Sequence, residues 1–144
     1  MFSYGMLAMI VMAMFTGAAL YINLAEQPAR LSLDDRNLLA EWKPSYKRGF
    51  AMQATLAMLG ALLGFAACFQ DFRPLFLTGA LLALANWPYT LRVIMPVNRI
   101  LLDTPLQAAD ATTRGLIREW NRLHAGRTIL GFLSVGCHYL ALSQ

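Results

Sequence analysis

The chain has 144 residues, 58% of them hydrophobic, and a formal net charge of +4. That apolar share exceeds the roughly 45–50% of ordinary soluble domains, and the length allows one domain, residues 1–144. The positive balance does not indicate a nucleic-acid partner, because eleven of the twelve basic residues fall in two segments between uncharged stretches.

The first uncharged stretch, Met1–Ala25, predicts a spanning helix over 2–24, since about 20 apolar residues cross the hydrocarbon. It has no basic start and too long an apolar run for a cleaved signal peptide. Pro28 is expected to end it. Ser32-Leu33-Asp34-Asp35 reads as a helix cap with acid in the first turn. A short helix over 33–42 follows, lying on the membrane surface with Trp42 at headgroup level.

Lys43-Pro44-Ser45 breaks that helix, and Ser45 caps the second span, 46–69. Residues 70–74 form a tight turn, so the third span, 75–95, is its antiparallel neighbour. Pro88 leaves the Leu84 carbonyl without its donor, which predicts a kink or a side-chain donor, and Pro96 ends the helix. Thr104-Pro105 with Gln107 reads as another helix start. The amphipathic segment Arg114–Arg127 runs into the fourth span, 120–142. The expected fold class is all-α, a four-helix transmembrane bundle with short cytoplasmic surface helices.

Orientation follows from the basic residues. Segment 24–49 holds five, segment 92–127 holds six, and the turn between the second and third spans holds only Arg73. Cytoplasmic loops carry such an excess. Both long segments are therefore expected in the cytoplasm and both termini outside, in a bacterial inner membrane. The basic loops also suit contact with anionic lipid.

Polar side chains gather at one depth. Asn23 and Glu26 close the first span, Arg48 and Gln53 open the second, Asn86, Tyr89 and Thr90 lie late in the third, and Trp120, His124 and Arg127 open the fourth. Helical spacing puts Thr16, Ala19, Asn23 and Glu26 on one face, and likewise Trp120, His124, Arg127, Gly131, Ser134 and His138. Singly, such groups can be interhelical glue, worth about 0.6 kcal/mol per bond, or snorkelling anchors. A charge at the bilayer centre costs about 2.5–3.5 kcal/mol, so charges there normally point inward and pair. Glu26 with Arg127 or Arg30 is the expected pair, and the convergence of types predicts a pocket.

Other features carry less. Cys68 and Cys137 lack a CxxC partner and read as apolar fillers, which argues against a thiol-exchange enzyme. Met6, Met9 and Met12 could offer thioethers to Cu(I), and haem has no dedicated motif, so no metal and no cofactor is expected. His138 is expected to be hydrogen-bonded within the bundle. The small-residue stripe from Gln53 through Ala57, Gly60 and Gly64 permits close helix approach, and its Gly60/Gly64 face could join copies in a homo-oligomer.

The segment Tyr21-Ile22-Asn23-Leu24-Ala25-Glu26-Gln27-Pro28-Ala29-Arg30 resembles the end of the first helix in the anthrone oxygenase-like integral membrane family. Three other stretches fit the same family: Trp42 with Tyr46, Arg48 and Gly49; Pro88-Tyr89-Thr90 with Ile94, Pro96 and Asn98; and Trp120-x-x-Leu123-His124-x-x-Arg127. The resemblance covers nearly the whole chain. It implies a four-helix membrane fold and, from fungal members, oxidation of anthrones by dioxygen. His124 would then be the base, with Glu26 orienting it. Arg127, Asn86, Tyr89 or Asn98 would steady an oxyanion, and Trp120 and Tyr89 would stack on a flat substrate. Gln53, Thr90 and Asn23 complete the expected pocket.

The functional expectation is a cofactor-independent oxidoreductase or oxygenase acting on a lipophilic aromatic or quinone-like molecule. The alternative is a non-catalytic ligand-binding protein or complex subunit. A transporter ranks third, since one copy is small for alternating access.

Overall fold

Among the described residues the core of each uncharged stretch lies within one long helix, and each helix extends past its stretch on the side of the basic segments. The computed structural model describes residues 3–144, and no strand occurs among them. Helix α1 is Tyr4–Arg30. It contains an α-helical run Tyr4–Tyr21, a π turn Ile22–Glu26 and a last α turn Gln27–Arg30. The Ser3 hydroxyl accepts from the Met6 N–H at 3.2 Å and so caps its start. The expected start at Phe2 lies outside the described residues.

Helix α2 is Asp35–Asp71, 37 residues, or about 55 Å at 1.5 Å per residue. The Asp34 carboxylate caps it, accepting from the Asn37 N–H at 3.0 Å. That bond holds the Asp34 carboxyl below its ordinary range. The helix stops at Phe72, which takes the left-handed conformation with φ 51°. Pro74 then opens α3 (residues 74–103), a position where its missing N–H costs nothing. Helix α3 joins Pro74–Tyr89, a π turn Thr90–Ile94 and Met95–Asp103. Helix α4 is Ala111–Leu142, and Asp110 and Thr113 form a reciprocal capping box at its start. The Thr113 N–H holds the Asp110 carboxyl below its ordinary range.

The helices pack in a ring: α1 on α2, α2 on α3, α3 on α4 and α4 on α1. Three apolar clusters succeed one another along the ring axis. At the end with the long links are Leu38, Leu39, Trp42, Ile94, Val97, Leu101, Ile117 and Trp120. Next come Met12, Phe15, Ala57, Ala61 and Ala83. Ala67, Phe76 and Ala141 close the far end. Tyr4–Arg30 and Asp35–Asp71 are long and apolar enough to cross a membrane.

Four expectations about breaks are corrected. Pro28 does not end α1, Pro96 does not end α3, Pro44 does not divide α2, and Thr104-Pro105 opens only a 3-10 turn, Leu106–Ala108. Pro28 and Pro96 each stand two residues past a π turn. The carbonyls that would meet their rings, those of Leu24 and Arg92, lie inside those wider turns, where the usual clash is relieved.

The separate surface helix over 33–42 does not exist. Its apolar residues are the first turns of α2, and Leu38, Leu39 and Trp42 are fully buried against α3 and α4 rather than set against lipid headgroups. Ser45 caps nothing, because its hydroxyl donates to Glu41 Oε1 at 2.6 Å.

The small-residue stripe faces inward. A side chain at Gly60 would meet Met12, and one at Gly64 would meet Ala80 and His138. This stripe packs α2 against its own neighbours within the chain. His138 fits the same interior, its Nδ1 lying 2.7 Å from the Ser134 carbonyl. Met12 is buried while Met6 is 40% exposed, so the three methionines do not share one environment.

Candidate functional site

Between the first and second apolar clusters the ring is not filled. A narrow cleft, about 390 Å³ of space when the open solvent at its mouth is included, takes its wall from all four helices. Helix α1 gives Ile22, Glu26 and Arg30, and α2 gives Ser45, Tyr46, Gly49, Phe50 and Gln53. Thr90, Ile94 and Asn98 come from α3, and Trp120, His124 and Arg127 from α4. On α2 the spacing 46, 49, 50, 53 is one helical face. On α1 and α3 the wall residues sit in or beside the two π turns, a frequent placement for functional groups.

His124 is 2% exposed. Its Nδ1 lies 3.3 Å from Asn23 Oδ1. The Asn23 amide is oriented from two sides: Nδ2 donates to the Asn121 carbonyl at 3.0 Å, and Oδ1 accepts from the Thr128 hydroxyl at 2.7 Å. An acceptor facing Nδ1 places the ring proton there and leaves Nε2 with a free lone pair. Trp120 lies on the imidazole with ring centroids 4.9 Å apart.

Two guanidiniums reach the cleft under different conditions. Arg30 forms ion pairs with Glu26 and with Glu41, so its charge is matched. Arg127 has no carboxylate partner among the described residues, and its guanidinium carbon lies 5.4 Å from the Phe15 ring centroid. Its Nε is buried without a hydrogen bond. Both amide atoms of Gln53, Asn98 Oδ1 and Trp120 Nε1 are also buried without partners. Burying such atoms unpaired costs roughly 1–3 kcal/mol each. A cluster of them around one cleft is what a polar ligand or ordered water would satisfy.

An aromatic wall completes the site. Tyr46 stacks on Trp42 with centroids 4.9 Å apart and planes 3° from parallel. Trp42 meets Trp120 edge-on at 5.7 Å. The Tyr46 hydroxyl accepts from Asn98 Nδ2 at 3.1 Å.

The expected residues divide into groups. Glu26, Gln53, Thr90, Asn98, Trp120, His124 and Arg127 line the cleft. Asn23 stands behind His124. Asn86 lines an adjoining pocket with Thr90 and Arg127, while its own Nδ2 turns to the Leu82 and Ala83 carbonyls. Tyr89 faces away, donating to the Leu123 carbonyl at 2.8 Å, and is absent from the wall. Glu26 pairs with Arg30, not with Arg127, and Asn23 rather than Glu26 touches His124. Tyr46, Phe50 and Arg30 were not expected in the wall. For Tyr46 and Phe50 the signal was the helical face they share with Gln53, and for Arg30 it was its place one turn after Glu26.

Among the described residues there is no cluster of three or more His, Cys, Asp or Glu side chains placed to hold a metal ion. A family model described as anthrone oxygenase matches residues 42–137, more than half of the chain, and the chain belongs to that family. No curated protein and no solved structure matches it.

Proposed function

We propose that this member of the anthrone oxygenase family is a membrane-embedded oxidoreductase that uses dioxygen on a lipophilic aromatic or quinone-like molecule without a resident cofactor. One observation carries the reading: a buried imidazole with Nδ1 held by Asn23 and Nε2 unengaged, beside an unpaired guanidinium.

The chemistry suits those two groups. A methylene beside an aromatic ketone gives up a proton to His124 Nε2 and becomes an electron-rich enolate. Arg127 and Gln53 steady the developing oxyanion in a site with little water. The carbanion carbon bonds to dioxygen, which takes up the electron pair, and a returned proton gives a hydroperoxide. Loss of the second C–H proton with cleavage of the O–O bond expels water and leaves a ketone. Overall, CH2 and O2 become C=O and H2O. An aromatic ring lies flat against Trp120 or Tyr46.

Membrane embedding is supported by an inverted distribution of polarity. Ile10, Met14, Leu62, Phe69, Leu81, Ile129, Phe132 and Leu140 are exposed, while Thr16, Gln53, Asn86, His124, Ser134 and His138 are buried. Water would penalise so large an apolar surface, and lipid does not. Helix α2, at about 55 Å, exceeds the roughly 30 Å hydrocarbon core. Its surplus, with the ends of α3 and α4 around Trp42, forms a helical cap on the cytoplasmic side, and the termini lie outside. Lipid and the lipophilic substrate are the partners in this reading.

The test is His124→Ala in purified, detergent-solubilised protein, with dioxygen uptake followed on a hydroxyanthrone probe. Uptake by wild type and its loss in a variant that keeps its helical spectrum and elution volume is the expected result. Wild-type-like uptake in the variant would overturn the base assignment. Tight binding of the probe by both proteins without uptake by either would favour a non-catalytic ligand-binding protein.

A further inference from the structure

The central cleft has a neighbour on each side of α2, and the two are unlike. Toward α1 lies a broad open groove of about 860 Å³ that shares Glu26 and Gly49 with the cleft and runs outward past Glu41 and Arg48. Toward α3 lies a small pocket, about 260 Å³ of space when the open solvent at its mouth is included, that shares Phe50, Thr90 and Arg127 with the cleft. Its outer end is apolar, formed by half-buried Ala54 and Trp87 and by exposed Leu91. Three adjoining cavities thus share walls around α2, wide and charged on the α1 side, narrow and apolar at the outer end on the α3 side.

The geometry points to the α2–α3 pocket as a binding site for dioxygen, with the organic substrate reaching the cleft through the α1–α2 groove. This rests on the oxygenase reading of the cleft. Three physical arguments support the division. Dioxygen is small and apolar, and it partitions into hydrocarbon in preference to water, so a narrow seam between helix surfaces with apolar walls suits it. Small apolar cavities take up apolar gases, and water competes only at the inner end, where Asn86 and Arg127 carry buried polar atoms without partners. The inner end of the pocket is Arg127, so dioxygen would meet the cleft where a positive charge favours electron transfer to it. A bound aromatic molecule would also plug the groove. A separate route lets the second reactant arrive after the first has closed its own path.

Xenon is the probe for the pocket, because it reports an apolar gas site without turnover. Crystals of the full chain under xenon pressure are expected to show one atom between Ala57, Trp87 and Leu91. Ala54→Phe should abolish that site. In uptake assays the same variant should raise KM for dioxygen several-fold, leaving KM for the organic probe and kcat at saturating dioxygen unchanged. Leu91→Trp, at the exposed mouth, repeats the test without touching the interior, should Ala54→Phe not fold. Absence of xenon from the pocket in wild type would overturn the gas site. Xenon in the pocket with an unchanged dioxygen dependence in both variants would overturn its role as the route. A wild-type protein that binds xenon there but consumes no dioxygen would overturn the oxygenase reading and the dioxygen assignment together, leaving only an apolar cavity.

Discussion

Asn23 is the residue on which the geometry of His124 turns, and replacing it with leucine tests that directly. The side chain engages three partners on α4: Asn121, through its carbonyl at 3.0 Å and its amide oxygen at 2.6 Å; the Thr128 hydroxyl at 2.7 Å; and His124 Nδ1 at 3.3 Å. Leucine removes all of them while keeping the branched shape. Asn121 is half-buried and finds other partners, whereas Thr128 and His124 are 6% and 2% exposed and do not. At about 0.6 kcal/mol per interhelical bond the loss is roughly 2 kcal/mol, and the cost of orphaned buried groups in water-soluble proteins sets an upper range near 4. The predicted loss is therefore about 2–4 kcal/mol in equilibrium unfolding from mild detergent. Nitrogen-15 spectra of ring-labelled protein supply a second readout. The wild-type imidazole carries its proton on Nδ1, the leucine variant loses that preference, and Asn23→Asp, which keeps an acceptor, retains it. A wild-type ring protonated on Nε2 would refute the reasoning whatever the stability.

Three further outcomes follow from the helix ends and close contacts. The Asp110 cap is held below its ordinary value of 3.8 by the Thr113 N–H, so its stabilisation is complete above that pH and is lost as pH falls through the lower folded value. The melting difference between wild type and Asp110→Ala should be constant near neutrality and shrink below about pH 4; a difference that grows in acid contradicts the assignment. Gly79→Ala places a methyl 2.5 Å from His138 Cε1 and should cost about 1–3 kcal/mol. Gly115→Ala, with nothing within 4 Å, should gain roughly 0.5–1 kcal/mol, and equal effects at the two sites would be inconsistent with this packing. Arg114 donates to Asp35 at 2.5 Å and to the Leu31 and Leu33 carbonyls at 2.8 and 2.5 Å. Arg114→Ala should therefore speed thermolysin cleavage between α1 and α2, and an unchanged digestion rate would show that the link is held elsewhere.

Residue periodicity conveyed more than local break signals did. Gln53, His124 and Arg127 were legible as inward-facing because 3.6-residue spacing fixes a face without any knowledge of the partner, whereas Asn98, beyond the expected end of its helix, was reached only through the family resemblance. The helix ends were misread because proline acts on the carbonyl four residues back, and that carbonyl is harmless when it sits in a π turn. Nothing in the residues of Ile22–Glu26 announces such a turn. Leu38, Leu39 and Trp42 were correctly seen as one apolar face, but apolarity does not distinguish lipid from the flanks of α3 and α4. Tyr89 shows the converse. Its hydroxyl has the chemistry of an oxyanion donor, and a neighbouring carbonyl occupies it.

The two π turns make the wall of the cleft sensitive to chain length. Each inserts an extra residue into an otherwise regular coil. Removing one residue from Thr90–Ile94 would let that turn close into α-helix while the coil on either side kept its phase, so Asn98 would stay on Tyr46. Only the widened stretch itself, with Thr90 and Ile94 in the wall, would be redrawn. The same deletion in Ile22–Glu26 would leave Phe15 and Arg30 in register and reshape only the coil between them. A lining built this way can change along one stretch by losing a single codon while the scaffold on both sides stays as it was.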